Sequence, residues 1–169
     1  MAEITLHGTQ INTVGDLPKM DAPAPDFELV DTELEDVSLG AYPDKKKLIS
    51  IIPSIDTPVC ATSTAKFIDA AKERTADMFL IVSADLPFAH SRFCQDASAD
   101  NIKLLSTMRS RRFAKDYGVL ITNGALSGLC ARAVMVLDAD NKVVHAELVS
   151  EIGNEPDYDA ALRALDSRD

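Results

Sequence analysis

The stretch from Leu48 to Lys66, LISIIPSIDTPVCATSTAK, decides how the rest of the chain is read. Leu48 to Ile52 is a short, mostly apolar run with two adjacent isoleucines, the pattern of a strand buried on both faces. Pro53 ends it, and Ser54 to Pro58 is rich in turn formers. From Val59 the residues favour a helix reaching about Thr75. Cys60 therefore sits where a loop enters the first turn of a helix. Unpaired backbone N–H groups and the positive end of the helix dipole favour a thiolate there, and the thiolate is the nucleophilic form.

Thr57 precedes Cys60 by three residues, so its hydroxyl lies within a turn of the sulfur or of a substrate oxygen bound beside it. Pro53 and Pro58 stiffen the loop, and Pro53 offers an apolar wall. The same residues also fit a buried structural cysteine with Thr57 as a helix cap.

Moving outward, Met78 to Ser83 (MFLIVS) and Ile102 to Ser106 read as further strands. Between them, Asp85-Leu86-Pro87 opens a helix carrying Phe88, His90, Phe93 and Cys94, with Asp85 as its cap. Arg109 to Tyr117 has helical spacing, Gly118 ends it, and Val119 to Thr122 is a weaker strand candidate. Ala131 to Leu137 is a strand, Asp138 to Asn141 a turn, and Lys142 to Val149 the returning strand. Pro156 to Leu165 is an amphipathic helix. Toward the N-terminus, Phe27 to Val30 is a brief strand and Asp31 to Lys47 a surface segment. Leu17 to Asp26 is an extended, proline-rich connector, and Glu3 to Val14 is a hairpin around His7-Gly8-Thr9. This order predicts an α/β protein with a mixed central sheet flanked by helices and an N-terminal β-hairpin.

The length of 169 residues fits one domain over 1–169. The net charge of −10 argues against nucleic acid or an anionic membrane as partner. The N-terminus MAEITLHGTQ has no apolar signal core, which predicts a cytoplasmic protein. Three cysteines in that setting suggest redox or metal chemistry rather than a secreted disulfide framework.

Pro53-x-x-x-Thr57-x-x-Cys60 resembles the active-site loop of the peroxiredoxins. Four blocks in order resemble one subfamily, the bacterial thiol peroxidases, which are atypical two-cysteine peroxiredoxins. They are SIDTPVCATS, SADLPFAHSRFC (Ser83 to Cys94), GLCARAVMVLD (Gly128 to Asp138) and EPDYDAALRAL (Glu155 to Leu165). The resemblance implies a thioredoxin-like fold and a peroxidase acting on hydrogen peroxide and organic hydroperoxides. It implies no cofactor, a thioredoxin-type protein as reductant, and a homodimer.

Cys60 is then the residue that attacks the O–O bond and becomes a sulfenic acid. Arg132 is the candidate positive donor for the leaving oxygen, since a charge inside an apolar strand is costly unless it is paired. From composition alone, an arginine snorkelling from a strand end or paired with a structural acid is the more common case. The resemblance makes Arg132 the active-site arginine and Cys94 the resolving cysteine that closes an intrachain disulfide with Cys60. The two cysteines sit on separate predicted helices, and a disulfide needs Cα atoms within roughly 4.4–6.8 Å. At least one helix end is therefore expected to open.

Cys130 is read as a plain thiol, on the same strand face as Arg132 if the strand is regular. Two other classes fit parts of the chain. One is a thiol–disulfide oxidoreductase without peroxidase activity, which the lack of Cys-x-x-Cys disfavours. The other is a metal-binding module using His90, Cys94 and Cys60, with the i, i+4 spacing that ligands use. No metal site is predicted, and His90 is expected at the surface or as a cap.

Overall fold

A computed structural model describes residues 1–94 and 99–167. Strand β1 (Glu3–Leu6) pairs antiparallel with β2 (Thr9–Asn12). The two-residue turn between them has positive φ at His7 (49°) and Gly8 (80°), the geometry that matches the twist of a hairpin. Next come β3 (Glu28–Val30), β4 (Asp36–Ser38), β5 (Lys47–Ile51), helix α1 (Pro58–Lys72) and β6 (Met78–Ser83). Then follow α2 (Pro87–Phe93), β7 (Ile102–Ser106), α3 (Arg112–Asp116), β8 (Ala133–Leu137), β9 (Val143–Leu148) and α4 (Tyr158–Asp166).

Among the described residues, one mixed sheet runs in the order β4-β3-β7-β6-β5-β8-β9, apart from the hairpin. β5 lies inside it between β6 and β8, parallel to β6 and antiparallel to β8, with Ile51 opposite both Val82 and Ala133. Every residue of β5, β6 and β8 is buried, as the apolar run at Leu48 predicts. Alternate residues feed two cores. Ile49, Ile51, Leu80, Val82, Met135 and Leu137 face one, which the hairpin's Ile4 and Ile11 and α3's Phe113 complete. Leu48, Phe79, Ile81, Val134 and Val136 face the other, beneath Phe67 and Ile68 of α1 and Leu165 of α4. Truncating one such side chain to alanine costs about 2–5 kcal/mol. Total stability is only roughly 5–15 kcal/mol, so the strand that carries the Cys60 loop has little freedom to shift.

Several boundaries differ from the sequence expectation. The segment 31–47 is not all surface: it contains β4, and Leu39 and Lys47 are buried. Lys47 is tolerated because its Nζ donates to Asn141 Oδ1 at 2.6 Å and to the Lys45 carbonyl at 2.8 Å. Burial pushes its pKa down. Helix α1 begins at Pro58, where a missing N–H costs nothing, and it ends before Thr75. The 119–122 segment makes only isolated bridges, Ile121 to Thr13 and Leu120 to Cys130. Gly118, at a φ of 71°, follows α3 as expected. A Cβ there would meet the Asp16 carbonyl oxygen at 2.0 Å, so backbone approach as well as helix ending requires glycine. Asp85 does not cap α2, since Leu86 holds the cap position without a side-chain bond. β8 begins at Ala133, one residue after Arg132. No helix among the described residues is long and apolar enough to cross a membrane.

Candidate active site

β5 ends at Ile51, and the chain turns through Pro53, Ser54 and Thr57 into α1. Cys60 occupies the first turn of that helix and is fully buried. The chain ahead of β8 brings Arg132 beside it. Arg132 is 3% exposed, its Nη2 donates to Cys60 Sγ at 3.2 Å, and its Nε donates to the Ile152 carbonyl at 3.0 Å. Its Nη1 is buried and has no hydrogen-bond partner among the described residues. Burial makes a bare thiolate costly, and a fixed guanidinium in contact with the sulfur offsets that cost. The structure thus brings Cys60 and Arg132 together, so the charge in the apolar segment is paired rather than snorkelling.

Thr57 stands at the cap position of α1, but its side chain does not cap the helix. Its Oγ1 instead donates to the Ser54 carbonyl at 3.0 Å. That spends the hydroxyl proton and leaves the oxygen with acceptor capacity. Thr57, Pro53 and Arg132 share an apolar pocket of about 260 Å³ with Leu6, Leu129 and Ile152. Pro53 is the apolar wall that the loop composition predicts.

Cys94 lies at the end of α2, half-buried against the same core as Cys60. Cys60, Cys94 and Cys130 are all free thiols. Burial raises the pKa of Cys94. Cys130 is buried, and its pKa is pushed up to about 12, mainly by that burial with Asp85 adding to it. Cys130 does not share a face with Arg132. It packs into the core with Ile49 and Met135, whereas Cys60 packs into the core across the sheet. Regular alternation fails because residues 130–132 precede β8 and Cys130 pairs with Leu120 instead.

His90 is neither at the surface nor a cap. It is fully buried, its Nε2 lies 2.8 Å from Ser83 Oγ, and burial lowers its pKa. Among the described residues no three His, Cys, Asp or Glu side chains gather as a metal set.

Glu151 escaped sequence reasoning, since an acid in a loop has no local signature. Its carboxylate accepts from Thr5 Oγ1 at 2.7 Å, His7 N–H at 3.0 Å, Gly8 N–H at 3.1 Å and Gly153 N–H at 3.2 Å. It thereby fastens the hairpin turn to the segment whose Ile152 carbonyl holds Arg132. The Thr5 hydroxyl first, and then the Gly8 N–H, hold its pKa down at about 2, against an ordinary 4.5. A depressed carboxylate stabilises the fold above its unfolded pKa and stops doing so as pH falls through its folded one. Glu151→Gln should therefore lower the melting temperature at neutral pH, with the gap to the parent closing between pH 4.5 and about 2. Melting curves at several pH values check this, and a gap constant with pH would contradict it.

Residues 19–162 match the Redoxin family model. The thiol peroxidase of Mycobacterium tuberculosis is 48% identical over 165 residues, covering 98% of this chain and 99% of the relative. Among solved structures, a peroxiredoxin-like protein from Aquifex aeolicus is 37% identical with a TM-score of 0.90, covering 98% of this chain and 96% of that one. A thiol peroxidase from Chromobacterium violaceum is 28% identical with a TM-score of 0.88, covering 96% and 94%.

Proposed function

The chain belongs to the redoxin family and is a thiol-dependent peroxidase of the peroxiredoxin type with a thioredoxin-like fold, and on that premise we propose that Cys60 attacks the peroxide and Cys94 resolves the product. The observation that carries the reading is the divided fork of Arg132. One arm holds the Cys60 sulfur, Nε is anchored on Ile152, and Nη1 has no partner among the described residues. That spare donor is what a peroxide oxygen needs as negative charge develops on it.

The Cys60 thiolate attacks the nearer peroxide oxygen. An S–O bond forms, the O–O bond breaks, and the leaving oxygen departs as water or an alcohol after taking a proton. Cys60 becomes a sulfenic acid. Arg132 steadies the departing oxygen, and Thr57 accepts a hydrogen bond from the peroxide hydroxyl. The apolar lining from Leu6, Leu129 and Ile152 favours an organic hydroperoxide over hydrogen peroxide.

Cys94 then attacks the sulfenic sulfur, forming the intrachain disulfide and releasing water. Burial disfavours its thiolate while α2 is closed. Opening the end of α2 removes that burial, so movement and activation of the second thiol are one event. A thioredoxin-type dithiol returns both cysteines to thiols. The reading extends to one domain over residues 1–169, acting as a homodimer in the reducing cytoplasm.

Cys94→Ser tests the division of labour. It should consume one equivalent of peroxide as fast as the parent and then stall as the sulfenic acid, with steady turnover falling at least about a hundredfold for want of a resolving thiol. Stopped-flow and steady-state assays on the same protein read both phases. Normal cycling of Cys94→Ser would contradict the assignment.

A further inference from the structure

A partly buried polar network joins the Cys60 loop to the Cys94 helix and takes no part in the chemistry above. Asp85 is its centre. Its Oδ1 accepts from Ser54 Oγ at 2.7 Å, and its Oδ2 accepts from Ile55 N–H at 2.7 Å and Ser83 Oγ at 2.6 Å. Its own N–H donates to Ser83 Oγ at 3.2 Å, and its carbonyl accepts from Ser106 Oγ at 2.5 Å. Ser83 Oγ in turn lies 2.8 Å from His90 Nε2, and the Cys94 N–H donates to the His90 carbonyl.

Proton counting fixes the direction of these bonds. A hydroxyl has one proton. Ser83 gives its proton to the carboxylate, so it accepts from the Asp85 N–H and from His90 Nε2. His90 therefore carries its proton on Nε2, which leaves Nδ1 bare. That nitrogen is buried and has no partner among the described residues.

The loop end is equally determined. The Ser54 carbonyl accepts from Thr57 N–H at 3.2 Å and from Thr57 Oγ1 at 3.0 Å, and Ser54 Oγ accepts from Asp56 N–H at 3.2 Å. Whatever orients Ser54 orients Thr57, and through it the first turn of α1. Asp85 is that group, reached across 31 residues of chain.

We propose that Asp85 is a positioning residue of the peroxidase site: its carboxylate sets the turn from Ser54 to Thr57 and, through Ser83 and His90, fastens α2 to that turn. The inference rests on the reading of Cys60 and Cys94 given above. Each arm of the network serves one step. The Ser54 arm holds the loop in the geometry of attack, and the His90 arm holds α2 closed until Cys60 is oxidised.

Stopped-flow oxidation of the full chain separates the steps, because attack depends on peroxide concentration and disulfide closure does not. Ser54→Ala should slow attack about tenfold through misplacement of the loop, with closure within about twofold. His90→Leu should speed closure about fivefold, the rate equivalent of one lost hydrogen bond, with attack within about twofold. Asp85→Ala should show both changes. Asp85→Asn should restore attack to within about threefold of the parent. Its amide oxygen can accept from Ile55 and Ser83 while its NH₂ donates to a Ser54 hydroxyl turned to receive it.

If Asp85→Ala does not fold, the Ser54 and His90 variants decide alone. A parental attack rate in Ser54→Ala, a parental closure rate in His90→Leu, or an Asp85→Asn protein as slow as a folded Asp85→Ala overturns the inference. A parent protein that shows no peroxide-dependent phase at all overturns the Cys60 reading itself, so the two failures are distinguishable.

Discussion

Cys60→Ser is expected to fold to the same structure and to consume no hydroperoxide. The fold survives because a serine hydroxyl fits the same fully buried site and can accept from Arg132 Nη2 as the sulfur does. The activity does not survive because no other thiol can stand in. Cys130 is buried in the opposite core with its pKa pushed up to about 12, and Cys94 is raised by burial as well. Burial thus disfavours the thiolate of both, and the thiol form is not the nucleophile. Loss should reach the uncatalysed background, a change larger than about 10⁴-fold on the scale of removing a sole nucleophile. Peroxide consumption with an excess of a dithiol reductant, alongside a melting curve, checks both halves. A folded Cys60→Ser protein with measurable turnover would contradict the assignment.

Arg132→Lys keeps the charge and should still lose about 10²–10³-fold in the rate of peroxide attack, the usual cost of one misplaced transition-state donor. Lysine offers one ammonium where arginine offers a planar fork. In this site the fork does three things at once: Nη2 holds the sulfur, Nε holds Ile152, and Nη1 stays unpartnered among the described residues. A lysine long enough to reach the sulfur must give up at least one of these. Reaction of the variant with an uncharged alkylating agent should slow too, because the sulfur loses its fixed positive neighbour. Stopped-flow rates for peroxide and for the alkylating agent measure the two effects separately. Parental rates for both would make Arg132 a structural residue.

Features set by neighbouring residues alone are legible in the sequence. The mostly apolar runs at Leu48 and Met78 become fully buried strands, because a strand covered on both faces has little room for polar alternation, and the run at Ile102 becomes a strand buried except at Lys103. Pro58 marks the start of α1 within one residue, and the His7-Gly8 turn closes the N-terminal hairpin. What escaped is carried by contacts between distant parts of the chain. Asp85 before Leu86-Pro87 fits a helix cap in any local window, yet its carboxylate is taken by Ser54 and Ile55, about a fifth of the chain away. His90 reads locally as a surface or capping residue; it is buried, and Ser83 offers it a partner there. Alternation puts Cys130 on the face of Arg132, and it fails because the chain is irregular just before β8. Arg132 was legible as an anomaly, a charge in an apolar segment, but only the fold supplies the sulfur that pairs it.

Peptide mapping of the parent protein after one equivalent of hydroperoxide tests the central claim most directly. The protein is digested without reduction, free thiols having been blocked beforehand. The account predicts a single disulfide joining Cys60 to Cys94 within one chain, with Cys130 recovered as a blocked thiol. A Cys60–Cys130 bond, or a Cys94 recovered as a blocked thiol in fully oxidised protein, would contradict it.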